Sequence, residues 1–212
     1  MKTIDMKDVF PPLKLEGAMG YRNLTVVPCF GGWERYQNYL LASEALGSGH
    51  LRVTETSSSG TVPELLAFNL SHRPILLIDG EELQGAKQNR ILNTTVFLAP
   101  ASKTRVPVSC VEEGRWNHVS DEFKSGHYSP VSLRQRKSRD VQLNLRTRGC
   151  PESDQGAVWA CVSEQVAASG GDAPTRALSD ALDAQADVLA RYHEALPYPE
   201  GACGVVAAVA GG

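Results

Sequence analysis

Over the first half of the chain apolar residues come in short runs, often alternating with polar ones; in the second half they recur at helical spacing. Leu24 to Phe30 is β-rich and closes on Gly31 and Gly32, with Pro28 placing it at a sheet edge or a bulge. Leu51 to Thr56 alternates faces and runs into the turn-like Ser57 to Gly60. Val62 to Phe68 and Pro74 to Ile78 flank Asn69 to Arg73 in the manner of a hairpin. Asn89 to Leu98 and Arg105 to Val111 follow, joined through Ala99 to Thr104. Short strands at close spacing with polar turns predict an antiparallel β-sandwich or partly open barrel.

Helical signals take over after Gly114. Trp116 to Phe123 reads as a short helix, and Ser129 with Pro130 as the cap and first residue of a basic one. Ser153 is placed to cap a helix that carries Val158, Trp159, Val162 and Val166 and stops at Gly170 and Gly171. Asp172 or Ala173 opens the longest predicted helix, where Leu178, Leu182, Leu189, Tyr192 and Leu196 recur until Pro197. Gly204 to Ala210 reads as a buried strand that stops at Gly211 and Gly212. The class expected is α+β, one domain over 1–212: mainly β over 1–113, mainly helical over 114–200 with the helices packed on the sheet, and a final strand over 203–210.

With 42% apolar and 21% charged residues, 212 positions suffice for a real core and do not describe a disordered chain. No apolar run approaches the roughly 20 residues of a membrane helix. Residues 1–8 lack the apolar core of a signal peptide, so the expected location is cytoplasmic. The five cysteines show no CxxC and the five histidines no HxxxH or HExxH spacing, which gives neither disulfides nor metal any support. Six basic residues between Arg134 and Arg148 face the single acid Asp140, whereas nine acids from Glu152 onward meet only Arg176 and Arg191. Mutual attraction between these segments accounts for the asymmetry, and a net charge of -3 argues against nucleic acid.

Two polar stretches carry the candidate chemistry. Ile75 to Ile78 delivers Asp79, Gly80, Glu81 and Glu82 at a strand end, and Gly85 with Ala86 lets backbone approach backbone or ligand. Gln84, Lys87, Gln88, Asn89 and Arg90 add amides and cations, with Lys87 to Arg90 entering the next strand. The stretch from Cys110 to Trp116 adds Glu112, Arg115 and Trp116: an acceptor, a bidentate donor for phosphate or carboxylate, and a ring for stacking. Glu82 and Glu112 are the candidate acid and base, because carboxylates forced together push their pKa values apart. Two readings stay open: a pocket for a small molecule, or a buried network in which Glu82 or Glu112 pairs with Arg90 or Arg115 and fixes a strand register. Glu55 and Asn69 are weaker candidates at strand ends. Cys110 reads as packing unless a cation or histidine activates it. The sequence leaves the identity of any cofactor unknown.

Val53 to Glu55, Val62 to Leu65, Gly80 to Arg90 and Pro107 to Trp116 together resemble the ADP-ribosylglycohydrolase- and rhodanese/phosphatase-superfamily-associated protein domain, the ARPP family of prokaryotes. The resemblance runs from about Tyr21 to Val209. The family's name records gene neighbourhoods. It implies a domain that binds, and in one version hydrolyses, an ADP-ribose-like or other phosphorylated small molecule. The alternative it implies is a non-catalytic interaction module for a partner enzyme of NAD or ADP-ribose metabolism. Family members continue past the position of Gly212 with a strand and a helix, so the resemblance also implies a C-terminally incomplete chain.

Overall fold

The β-rich run Leu24 to Phe30 pairs with two short strands that precede it. β1 (Lys14–Leu15) and β2 (Met19–Tyr21) both lie antiparallel to β3 (Leu24–Phe30), β1 against its end and β2 against its beginning. The computed structural model describes residues 12–31, 38–57, 60, 62–171 and 173–210. These fall into two units, one built from Met1–Asn38 with Gln185–Gly212 and the other from Tyr39–Ala184. The turn expected over 57–60, the closing glycine at position 32, the helix start at Asp172 and the glycines 211 and 212 lie wholly or partly outside the described residues.

The second unit starts with β4 (Leu40–Leu41) and α1 (Ala42–Gly47), followed by β5 (Leu51–Glu55), β6 (Glu64–Asn69) and β7 (Ile75–Leu77). β8 (Glu81–Gly85), β9 (Arg90–Leu92), β10 (Val96–Leu98), β11 (Ser102–Cys110) and β12 (Phe123–Tyr128) complete its strands. Six of them form an antiparallel sheet in the order β12-β8-β9-β11-β6-β5, curled into a half-barrel. Alternation assigns the two faces. Leu51, Val53, Leu65, Ala67, Leu83, Leu92, Val106 and Val108 fill the concave side, where the small sheet β10-β7-β4 and α1 contribute Ile75, Leu77, Leu98, Ala42 and Ala45. Ile91 and Val111 point the other way, into a second core. The helices α2 (Val131–Arg148), α3 (Gln155–Ser169) and α4 (Leu178–Asp183) complete that core with Leu133, Val158, Cys161, Val162 and Leu178. An antiparallel half-barrel with helices in the second half is the α+β architecture expected.

Several elements differ from the sequence reading, each for a local reason. Asn89 to Leu98 is not one strand: β9 and β10 belong to different sheets. The chain bends between them where Asn93 Nδ2 donates to Pro151 O (3.1 Å) and Asp79 N donates to Thr95 Oγ1 (3.1 Å). Asn69 to Arg73 does not close a hairpin either, since β6 and β7 also lie in separate sheets. The buried Asn69 amide ties the connection instead, donating to Arg73 O (2.8 Å) and Ala99 O (2.9 Å). Trp116 to Glu122 is irregular rather than helical and Phe123 starts β12, because Arg115 Nη1 holds Asn117 O (3.0 Å) and Ser120 Oγ accepts from Ala86 N (2.9 Å). Asp154, not Ser153, caps α3 through Ala157 N (3.1 Å), and Pro130 stands at the cap of α2 rather than inside it. Of the expected attraction between basic and acidic segments, Arg136 meets Glu164 at 3.9 Å, both exposed.

The helix expected to run to Pro197 breaks after Ala184, at the boundary between the units. Its second part, α5 (Ala186–Ala195), joins the first unit, where Tyr192 packs edge-on against Tyr21 with ring centroids 4.9 Å apart. The expected final strand is β13 (Ala202–Val209), antiparallel to β3 along its whole length. β3 is thus flanked on both sides, and Pro28 does not mark an edge. Its carbonyl accepts from Glu16 N (3.3 Å), so its missing N–H faces the gap between β1 and β2 and costs no ladder bond. Val205, Val206 and Val209 of β13 are exposed, where the sequence suggested burial.

Candidate functional site

The stretch from Asp79 to Arg90 folds in the reverse of its expected sense: its first half is strand β8 and Lys87 to Asn89 form the turn into β9. Gly85, at φ +127, lets the turn lie against the chain before β12, where a Cβ would stand 2.5 Å from Ser120 Oγ. Arg115 clamps this turn. Its Nε and Nη2 donate to the two oxygens of Glu112 (2.7 and 2.6 Å), and its remaining donors reach Ala86 O (2.8 Å), Gly85 O (3.3 Å) and Asn89 Oδ1 (3.2 Å). Glu112 also accepts from Asn89 N (3.0 Å) and Thr175 Oγ1 (2.9 Å). Burial pushes its carboxyl upward, but these hydrogen bonds outweigh that and hold it below the usual carboxylate range. Gln88 Nε2 donates to Glu112 O (2.8 Å) and Asn89 Nδ2 to Ser179 Oγ (3.2 Å). The two sequence motifs therefore meet, with the hydrogen-bonding capacity of Glu112, Arg115 and Asn89 taken by the protein itself.

Arg90 lies outside this clamp, at the start of β9 on the concave face of the half-barrel. Strand parity brings Glu55 at the end of β5 and Cys110 at the end of β11 to the same face. The Arg90 side chain is fully buried and that of Glu55 is 10% exposed. Arg90 Nη1 donates to Gln88 Oε1 (3.2 Å) and to the Cys110 sulfur. Its Nε and Nη2, and both oxygens of Glu55, have no hydrogen-bond partner, although Nη2 and Oε1 are only 3.7 Å apart. Trp116 borders the cluster, its ring centroid 5.6 Å from both Arg90 Cζ and Lys87 Nζ, and Gly60 lies close to Glu55, Lys87 and Trp116.

Burial pushes the Cys110 thiol up to about 11, with Glu55 adding to the rise and Arg90 opposing it. A thiol held that high is not a nucleophile at neutral pH. Iodoacetamide at pH 7.5 is expected to leave Cys110 unmodified in the folded protein while labelling it in urea; peptide mass spectrometry reads the difference. Fast labelling of native Cys110 would reverse this assignment.

Glu82 and Gln84 face the opposite side of the sheet, toward the helices. Glu82 Oε2 accepts from Gln84 Nε2 (3.0 Å) and His127 N (3.2 Å), while its buried Oε1 has no partner. Burial raises its pKa against those two hydrogen bonds. Gly126 permits this approach, since a Cβ there would stand 2.6 Å from Glu82 Oε2. His127 lies on β12 with Nε2 2.8 Å from Asp183 Oδ1. The two expected carboxylates thus occupy different settings: Glu112 saturated within the clamp, and Glu82 half-satisfied on the outer face.

Sequence reasoning missed a third polar lock. Lys137 is completely buried and donates to Asp79, to Leu92 O (2.9 Å) and to Asn93 O (3.0 Å), while Ser138 Oγ donates to the second Asp79 oxygen (3.0 Å). The basic segment reads in sequence as one attracted to the acidic segment; the spacing of Lys137 four residues from both Leu133 and Val141 is the signal that sets it apart. A wide surface depression of about 880 Å³ bordered by Arg52, Asp121, Glu122 and Lys124 includes none of the expected site residues. Among the described residues no three His, Cys, Asp or Glu side chains converge as metal ligands, and no helix is long and apolar enough to cross a membrane.

The sequence model of the ARG and Rhodanese-Phosphatase-superfamily-associated Protein domain matches residues 12–212. The chain belongs to this ARPP family. No curated protein and no solved structure matches it. The family's name associates ARPP domains with ADP-ribosylglycohydrolase and with the rhodanese and phosphatase superfamilies, which ties this chain to partner proteins without assigning it a reaction. Both polar stretches, the clamp and the Arg90 cluster lie inside the matched ARPP region.

Proposed function

We propose that this ARPP domain is a cytoplasmic binding protein for an ADP-ribose-like or other phosphorylated small molecule, received on the concave face of the half-barrel by Arg90 and Glu55. One observation carries the reading: two donors of a fully buried guanidinium and both oxygens of a nine-tenths buried carboxylate have no hydrogen-bond partner, with Nη2 and Oε1 3.7 Å apart. Buried polar groups are nearly always paired, and an unpaired charged one is costly. Trp116 and Lys87 at the rim supply a flat apolar surface and a further cation. Arg115, Gln88 and Asn89 shape the site from behind by holding the turn.

Hydrolysis does not run through Glu112, whose oxygens already accept four side-chain and backbone hydrogen bonds, two of them from Arg115. Glu82, with its raised pKa and unpartnered Oε1, is the carboxyl suited to proton transfer, but it faces away from Arg90.

Calorimetric titration with ADP-ribose, NAD and AMP is the test. At least one is expected to bind at or below millimolar concentration. Arg90→Lys is expected to weaken it about tenfold or more, because an ammonium cannot present the guanidinium's paired donors. Absence of binding by all three at millimolar ligand would remove the proposal. A second reading, a non-catalytic module that joins a partner enzyme of NAD or ADP-ribose metabolism, draws on the family's name and on the exposed valines of β13. Under it, Arg90→Lys lowers the melting temperature and no ligand raises it.

A further inference from the structure

The orphaned groups of Arg90 and Glu55 specify which part of a ligand they take. Nε and Nη2 form one edge of the guanidinium and offer two parallel donors with no accepting capacity; the Glu55 carboxylate offers two acceptors with no donor. At 3.7 Å, Nη2 and Oε1 are too far apart for a hydrogen bond and close enough for one atom to contact both. That atom must accept from nitrogen and donate to oxygen. A phosphate oxygen only accepts, leaving Glu55 unpaired and repelled by the anion. An ammonium only donates, leaving Arg90 in the same position. A hydroxyl does both, and two hydroxyls on neighbouring carbons engage both nitrogens and both oxygens at once. Charge points the same way: the Arg90 cation is already balanced by Glu55, so a neutral group enters without creating a buried excess of either sign.

We infer that the Arg90–Glu55 pair is a recognition site for a vicinal diol such as the 2′,3′-diol of a ribose, and not a phosphate site. This deepens the proposed function and rests on it, moving any phosphate of the ligand away from Arg90 toward the rim, where Lys87 stands beside Trp116. Glu55, read from sequence as a weaker candidate at a strand end, becomes the group that distinguishes a diol from an anion.

The experiment compares AMP, 2′-deoxyadenosine 5′-monophosphate and inorganic pyrophosphate, titrated calorimetrically into the intact protein and its Glu55→Gln variant. The variant's melting curve checks that the fold is kept. AMP is expected to bind, the 2′-deoxy compound about tenfold or more weakly, and pyrophosphate not measurably, because the missing hydroxyl returns one donor and one acceptor to the unpaired state. Glu55→Gln is expected to weaken AMP about tenfold. The opposite sign is diagnostic: if pyrophosphate binds and Glu55→Gln tightens it, or if the deoxy compound binds as well as AMP, the diol assignment falls while ligand binding at Arg90 stands. If ADP-ribose, NAD and AMP all fail to bind, the underlying reading falls with it, and water is what bridges the pair.

Discussion

Arg115→Ala is expected to cost about 3–5 kcal/mol of folding stability, the usual range when one partner of a buried ion pair is removed and the other remains. Against a typical total of about 5–15 kcal/mol this is a large share. The residue does more than neutralise Glu112. Its guanidinium holds the carbonyls of Gly85 and Ala86 and the side chain of Asn89, so its loss releases the β8–β9 turn as well as the carboxylate. Urea denaturation at pH 7 measures the effect, and a loss below about 1 kcal/mol would show that the clamp is dispensable. The pH dependence carries a definite sign. Glu112 has a folded pKa below its unfolded value of about 4.3, so its contribution is complete above that pH and fades as pH falls through the lower folded value. The gap between wild type and Arg115→Ala should therefore be widest near neutrality and shrink in acid. Glu82 contributes in the opposite sense, since its raised folded pKa favours the folded state at low pH and loses that advantage as pH rises above its unfolded value.

Removing Asp79 should be nearly as damaging. Asp79→Leu leaves the completely buried Lys137 ammonium with two backbone carbonyls and no counter-charge, at a cost of about 3 kcal/mol, the low end of the buried-pair range because Asp79 keeps some contact with water. The double variant Asp79→Leu with Lys137→Met should recover most of that loss, because no unpaired charge then remains. Both are read by denaturation midpoints. A single variant as stable as wild type, or a double variant no better than the single, would show that the pair does not hold α2 to the sheet. Burial lowers the Lys137 pKa and Asp79 opposes the drop. The deficit in Asp79→Leu should narrow as pH rises toward the unfolded lysine value of about 10.4, where the buried amine folds without its proton.

Where burial follows alternation, the sequence was a sufficient guide. β5, β6 and β11 each place apolar residues on the concave face at every second position, and each was legible as a strand. β8 was not, because Glu81, Glu82 and Gln84 look like turn residues and the β12 groups that pair with the two glutamates lie far along the chain. Tyr128 Oη donates to Glu81 Oε1 (2.6 Å), and the backbone of His127 donates to Glu82. The hairpin is inverted for the same reason: the polar run Lys87 to Asn89 reads in sequence as part of the strand that begins at Arg90. The repeat of Leu178, Leu182 and Leu189 conveyed helical spacing but not the break at Ala184, which reflects membership of two units rather than any breaker residue. Of the site, the pairing of Glu112 with Arg115 was readable from three-residue proximity. The meeting of Arg90 with Glu55, across the width of the sheet, required the order of its strands.

The pairing of β3 with β13 sets a timetable for synthesis. Cys29 and Cys203 stand 174 positions apart, yet Cys203 Sγ donates to Cys29 O. At about 5–20 residues per second, β3 waits roughly ten to thirty-five seconds on the ribosome before its long partner is made. During that interval Val26 and Val27 present an unpaired edge, and the half-barrel unit, complete by Ala184, has time to fold first.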